Sequence, residues 1–145
     1  MPNLTEQTEA LSLVWHRLVV LLQKIGGELW KDHLAGISSV EIGILNLIQM
    51  MPKATTKELI QAMQIPGSTL TNAINRLEKR RLIQRKINDA DRRLFRLELT
   101  EKGIATQVEH VKGEEILWQR IFSAFHTDEE RKNLIDTLNK LADSL

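Results

Sequence analysis

Along most of the chain apolar residues recur at three- and four-residue steps, the spacing of one helix face. Along two short stretches they alternate with polar residues, the spacing of one sheet face. Leu11, Val14, Trp15, Leu18, Leu22, Ile25 and Leu29 predict a long first helix over Leu4 to Leu34. Gly26 and Gly27 interrupt it at a cost of about 1 kcal/mol each against alanine, so a bend or a close helix contact is expected there. Gly36 ends this element. Ser38 with Glu41 forms a capping box and opens a second helix, Ser39 to Met51, closed by Pro52; Thr55 with Glu58 repeats the pattern and opens a third, carrying Leu59, Ala62 and Met63 inward. After a turn at Ile65, Pro66 and Gly67, a fourth helix runs from Gly67 to Arg81. Leu82 to Ile87 and Leu94 to Leu99 read as two strands joined by the polar turn Asn88 to Arg92. Thr100 caps a fifth helix that reaches about Ala124 with Ile104, Val108, Val111, Ile116, Leu117 and Ile121 on its apolar side. Thr127 and Glu130 start a last one bearing Leu134, Ile135, Leu138, Leu141 and Leu145.

The fourth helix has two sharply different faces. At 100° per residue Leu70, Ala73, Ile74 and Leu77 share one arc, while Ser68, Asn72, Asn75, Arg76 and Lys79 crowd the other. Hydroxyls, amides and cations are the side chains that donate to phosphates and base edges, so the outward face suits a DNA major groove. The third and fourth helices then form a helix-turn-helix, and the hairpin after them is its wing. Arg92 and Arg93 sit at the hairpin tip, where a cation enters the narrow, negative minor groove. The expected fold is mainly α with a small β-hairpin wing: a winged helix-turn-helix over residues 36–100, flanked by helical dimerisation regions at 1–35 and 101–145. The flanking helices are too long and too apolar to be covered by a core of about 50 residues, so they are expected to pair with a second copy across a two-fold axis.

Charge sharpens this picture only when it is divided along the chain. The net charge is +1, but between Arg76 and Arg96 nine cations face three anions, a local +6 that leaves −5 for everything else. With 42% hydrophobic residues in 145, the chain has enough apolar surface for a buried core, and no apolar run approaches the length of a membrane span. The N-terminus lacks a basic region followed by an apolar signal core, so a cytoplasmic location without membrane association is expected. The absence of cysteine removes disulfides, thiolate metal sites and thiol-based redox sensing.

The stretch DRRLFRLELTEKG, Asp91 to Gly103, together with Thr71, Asn72, Arg76, Leu77 and Leu82-Ile83 in the preceding segment, resembles the wing signature and recognition helix of the MarR (multiple antibiotic resistance regulator) family of bacterial winged-helix transcription factors. The resemblance covers nearly the whole length. It implies a homodimer joined by the first, fifth and sixth helices, with each recognition helix in a major groove of a pseudo-palindromic operator. It also implies a transcriptional regulator, a repressor more than an activator, released by a small aromatic or lipophilic acid. The recognition-helix residues implied are Ser68, Thr69, Thr71, Asn72, Asn75 and Arg76. In the wing they are Asp91, Arg92 and Arg93, with Arg93 reaching the minor groove and Asp91 orienting the hairpin. Capping and surface solvation are the competing roles for the helix residues, and a local ion pair is the competing role for Asp91 and Arg93. Two positions depart from the family pattern. Asn75 replaces an aspartate, and Arg81 replaces the glycine at the helix exit, where a left-handed cap on a non-glycine residue is strained.

For an effector cleft the candidates are Trp15, His16, Trp30, His33 and Trp118, which combine apolar rings with hydrogen-bonding groups; packing in a dimer core is the alternative for the tryptophans. Candidate metal ligands by residue type are His33, Glu41, Glu109, His110 and Glu114. His110 and Glu114 are four apart on one helix face, but no second spaced pair and no cysteine completes a set, so neither a metal nor another cofactor is expected. No phosphate loop, His-Glu-x-x-His or nucleophile-base pair points to an enzyme. A winged helix used for protein contacts, an adaptor or anti-regulator without DNA binding, is the reading from another class.

Overall fold

The computed structural model describes residues 1–31 and 34–145. Among them the elements run α1 (Leu4–Trp30), α2 (Ser39–Met50), α3 (Thr56–Met63), α4 (Gly67–Lys79), β1 (Ile83–Ile87), β2 (Phe95–Leu99), α5 (Glu101–Phe122) and α6 (Asp128–Ser144). They fall into two compact units, one spanning Gly26–Val111 and the other made of Met1–Ile25 with Lys112–Leu145.

The first of these units holds a contiguous apolar core. Ile44, Leu45 and Ile48 of α2, Leu59 of α3 and Leu70, Ala73, Ile74 and Leu77 of α4 meet Leu82, Ile83 and Leu97 at the base of the hairpin. Each buried aliphatic side chain there contributes about 1.5–3 kcal/mol, and together they fix which face of α4 points inward. The helix starts are set locally. Ser38 and Glu41, and likewise Thr55 and Glu58, form complete capping boxes in which each side chain bonds the other residue's backbone N–H. The strands pair antiparallel from Ile83↔Leu99 to Ile87↔Phe95, so one face of the hairpin is buried at its base and exposed at its far end, where Ile87 and Phe95 lie.

Two backbone junctions hold the hairpin to its neighbours. At the end of α4 the Leu82 N–H donates to the Leu77 carbonyl (3.0 Å) and the Arg81 N–H to the Glu78 carbonyl (2.8 Å), a Schellman pair that needs Arg81 in the left-handed region, at φ 59°. The Arg81 strain anticipated from the sequence is therefore present, offset by two backbone hydrogen bonds and by Leu77 and Leu82 both entering the core. At the start of α5 the Thr100 N–H donates to the Leu82 carbonyl (3.0 Å), and the Thr100 hydroxyl donates to the Arg81 carbonyl (2.6 Å) while accepting from the Gly103 N–H (3.0 Å). A Cβ on Gly103 would lie 2.0 Å from the Leu82 carbonyl oxygen, so only glycine fits.

The second unit is built differently. Neither α1 nor α6 has a buried residue, and Leu11, Leu13, Val14, Trp15, Leu18, Ile135, Leu138 and Leu141 are all exposed. Thr127 and Glu130 complete a third capping box at the start of α6.

The first helix differs from its expected form in two ways. It ends at Trp30, not Leu34: the Leu34 N–H still reaches the Trp30 carbonyl (2.8 Å), but Leu34 is drawn into a buried position and Gly36 turns the chain at φ 73°. Gly26 and Gly27 lie inside a continuous helix. Gly26 makes room for the ring of Trp30, 3.4 Å from where its Cβ would be, and among the described residues no side chain or other segment lies within 4 Å of where a Gly27 Cβ would be.

Candidate nucleic-acid interface

The polar side of α4 is laid out as its periodicity requires. Ser68, Thr69, Thr71, Asn72, Asn75 and Arg76 are exposed, while Leu70, Ala73, Ile74 and Leu77 are at most 2% exposed. No side chain caps α4, whose N-cap is Pro66, so Ser68 and Thr69 do not serve that competing role. The Thr71 hydroxyl donates back to the Gly67 carbonyl (2.8 Å).

The exposed cations at the end of this helix are not all equivalent. Arg76 Nε donates to Glu41 Oε1 at 2.7 Å, and the Glu41 side chain is only 2% exposed. Burial pushes the Glu41 pKa up, but the Ser38 backbone N–H, the Arg76 guanidinium and the Ser38 hydroxyl outweigh it and hold the carboxyl below the ordinary glutamate value. Arg80 donates from Nη1 to the Ala35 carbonyl (3.2 Å) and from Nη2 to the Gly36 carbonyl (2.8 Å). Arg85 of β1 reaches across to α4, from Nε to Glu78 Oε1 (3.0 Å) and from Nη2 to Asn75 Oδ1 (3.3 Å). Asn75, the first departure from the family pattern, thus helps hold the wing strand to the helix.

The hairpin tip is ordered by short-range polar contacts. Asn88 is buried and its side-chain oxygen accepts from the backbone N–H groups of Ala90 (2.8 Å) and Asp91 (3.3 Å). Asp91 accepts from the Arg93 backbone N–H (3.0 Å), from Arg93 Nε (3.2 Å) and from Arg93 Nη2 (3.3 Å). The guanidinium, then the backbone N–H, hold the Asp91 carboxyl below its ordinary range. The local ion pair weighed for these two residues is formed, and it leaves the Arg93 side chain 90% exposed beside exposed Arg92. Arg96 is turned inward instead, between Asp89 (3.3 Å) and Glu98 (2.9 Å).

The effector candidates separate. Trp30 lines a cavity of about 440 Å³ in the Gly26–Val111 unit together with Lys31, Leu34, Ile37, Ile42 and His110. Its indole N–H donates to the His110 carbonyl (3.2 Å), and the two rings lie 5.5 Å apart. Trp15, His16 and Trp118 are exposed residues of the other unit and do not line this cavity; His33 lies outside the described residues. The sequence reading weighed His110 only as a metal ligand and missed it, with Lys31 and Ile42, as cavity lining; no periodic signal marks such residues. Of the weighed metal ligands, Glu41 is engaged by Arg76 and Ser38, and among the described residues no three His, Cys, Asp or Glu side chains converge. No helix among the described residues is long and apolar enough to cross a membrane.

Comparison with known proteins converges on one family. The MarR family model matches residues 35–94, which include the helix-turn-helix, β1 and the hairpin tip. The HTH-type transcriptional repressor MdtR of Bacillus subtilis (strain 168) is 29% identical over 126 residues, 86% of this chain and 81% of that protein. The crystal structure of the YusO protein from Bacillus subtilis superposes with a TM-score of 0.64 at 27% identity, covering 95% of this chain and 98% of that one. Streptococcus pneumoniae FabT, solved in complex with DNA, shares the fold at a TM-score of 0.76 and 22% identity, over 97% of this chain and 96% of that one. The segment that matches the family model is the one that folds here as a helix-turn-helix leading into a β-hairpin wing, and over that segment the chain is similar to the MarR family.

Proposed function

We propose that this protein is a dimeric, sequence-specific DNA-binding transcriptional regulator, a repressor released by a small-molecule ligand. The observation that carries the reading is the division of α4: a fully buried apolar stripe holds the helix in the core and turns Ser68, Thr69, Thr71 and Asn72 outward. The wing supplies the second contact through Arg92 and Arg93, with Asp91 holding the Arg93 side chain. Dimerisation is supported by the uncovered apolar residues of α1 and α6, which a second copy would bury. The relatives' names support regulation: MdtR is a transcriptional repressor, and FabT was crystallised on DNA.

The effector is a small aromatic or lipophilic acid seated in the Trp30 cavity, with indole and aliphatic walls for its apolar part and Lys31 for its carboxylate. Its binding changes the separation of the two recognition helices, so that they no longer match successive major grooves. By linkage, effector and DNA then weaken each other's binding by the same factor.

The test is a titration of a fluorescent duplex from upstream of the protein's own gene at several salt concentrations, against random DNA and with Arg93→Ala in parallel. Specific binding with log K falling against log salt at a slope of roughly −5 to −10, and a weakened mutant, is the expected result. Binding no better than to random DNA, with Arg93→Ala indistinguishable from wild type, leaves the adaptor reading standing instead.

A further inference from the structure

Arg80 directly follows Lys79, the last residue of the recognition helix, and by charge alone it belongs with the DNA-facing arginines. Its geometry sends it elsewhere. As the C-cap of α4 it is half-buried, and both terminal nitrogens are directed at main-chain oxygens 44 and 45 residues away, Gly36 at 2.8 Å and Ala35 at 3.2 Å. The turn that presents those carbonyls depends on Gly36 at φ 73°, and a Cβ there would meet Arg80 Nη2 at 2.8 Å. Gly36 therefore serves both the turn and the approach of the guanidinium. One helical turn earlier Arg76 is held by Glu41 in the first turn of α2, so α4 is tied to residues 35–41 at two points on the same side. Leu34, Ala35 and Ile37 of that loop also wall the Trp30 cavity.

We propose that Arg80 is a positioning residue for DNA binding: a strap that sets the C-terminal end of the recognition helix against the Leu34–Ile37 loop, not a phosphate contact. The inference rests on the DNA-binding reading above. A planar guanidinium spans two adjacent carbonyls, which an ammonium with its single nitrogen does not do in the same geometry. A phosphate contact, in contrast, needs chiefly the charge.

Arg80→Lys and Arg80→Gln separate the two roles. Both are measured by anisotropy titration of the operator duplex across salt concentrations and by hydrogen exchange, with circular dichroism to establish that each variant is folded. As a strap, Arg80 is replaced by neither residue: both variants lose roughly tenfold in DNA affinity at an unchanged log–log salt slope. The Ile37 amide, bonded to the Leu34 carbonyl at 2.9 Å, exchanges about tenfold faster in both. If Arg80→Lys binds as wild type while Arg80→Gln loses about one unit of salt slope per protomer, the residue is a phosphate contact and the proposal is overturned. Wild-type affinity in both variants overturns it equally. Wild-type protein that binds no duplex above random DNA overturns the DNA-binding reading itself, and this inference with it.

Discussion

Replacing Gly103 by alanine puts one methyl group where the main chain of another segment already lies. The added Cβ would sit 2.0 Å from the Leu82 carbonyl oxygen and 3.0 Å from its carbonyl carbon, so the two segments must separate by more than about 1 Å to reach ordinary van der Waals contact. That oxygen is the acceptor for the Thr100 N–H, and Thr100 also bonds the Arg81 carbonyl; retreat loosens both contacts beside the Ile83↔Leu99 end of the hairpin. Overpacking costs about 1–3 kcal/mol and a weakened buried hydrogen bond about 1–3 kcal/mol more. Alanine recovers about 1 kcal/mol of helix propensity, because Gly103 lies in the first turn of α5. The net expectation is a loss of about 1–5 kcal/mol. It is measured as a shift in the urea midpoint at fixed protein concentration, since stability depends on concentration if the protein dimerises. A Gly103→Ala protein as stable as wild type would refute the close approach of α5 to Leu82.

Four further outcomes rest on other contacts of the fold. Arg81→Gly relieves a left-handed non-glycine residue without touching its two backbone hydrogen bonds, and should raise stability by up to about 1 kcal/mol by urea denaturation. Arg76→Met leaves the buried Glu41 carboxylate with Ser38 alone and should cost about 1–3 kcal/mol at pH 7, less than for a fully buried pair because the Arg76 side chain is half-exposed. Since the Glu41 pKa is lowered by folding, its contribution is complete above the unfolded glutamate value of about 4.3 and disappears as pH falls through the folded value; a urea midpoint followed from pH 7 to pH 3 should therefore decline less steeply in Arg76→Met. The Asp91 carboxyl should titrate by NMR below the ordinary aspartate value in wild type and move back toward it in Arg93→Ala.

What the sequence disclosed is what depends on neighbours a few residues away. The three capping boxes at Ser38, Thr55 and Thr127 are all formed, and the two strands begin within one residue of their expected starts, because caps and alternation are set by local spacing. The buried stripe of α4 was equally legible from a 3.6-residue period. Contacts that cross the fold were not. Nothing in the spacing of Glu41 and Arg76, 35 residues apart, announces an ion pair, and the need for glycine at position 103 comes from a carbonyl on the far side of the hairpin. The end of α1 differs for a related reason: Leu34 continues the apolar period of the helix, but its burial after the helix has ended satisfies that period as well. Aromatic rings mark the effector candidates in the sequence, whereas the cavity is assembled from a helix end, a loop and His110, whose proximity only the fold creates.

The same distinction applies to charge. The local +6 between Arg76 and Arg96 counts every cation as if it faced solvent, yet five of the nine have side-chain partners among the described residues. Arg76 and Arg80 tie α4 to residues 35–41, Arg85 ties the wing strand to α4, and Arg96 lies between two carboxylates; only Arg93 keeps a fully solvated head while paired. These internal roles explain the preference for arginine over lysine in the segment, because each requires a planar group bonding in two directions or at a fixed angle. The charge presented to a polyanion is then carried chiefly by Lys79, Arg81, Lys86, Arg92 and Arg93, all exposed. Five per protomer, doubled in a dimer, bound the salt slope near −9, whereas nine per protomer would allow about −16. A measured slope beyond −10 would therefore mean that further cations meet DNA, either the arginines that form internal ties or the exposed Lys53, Lys57 and Lys102.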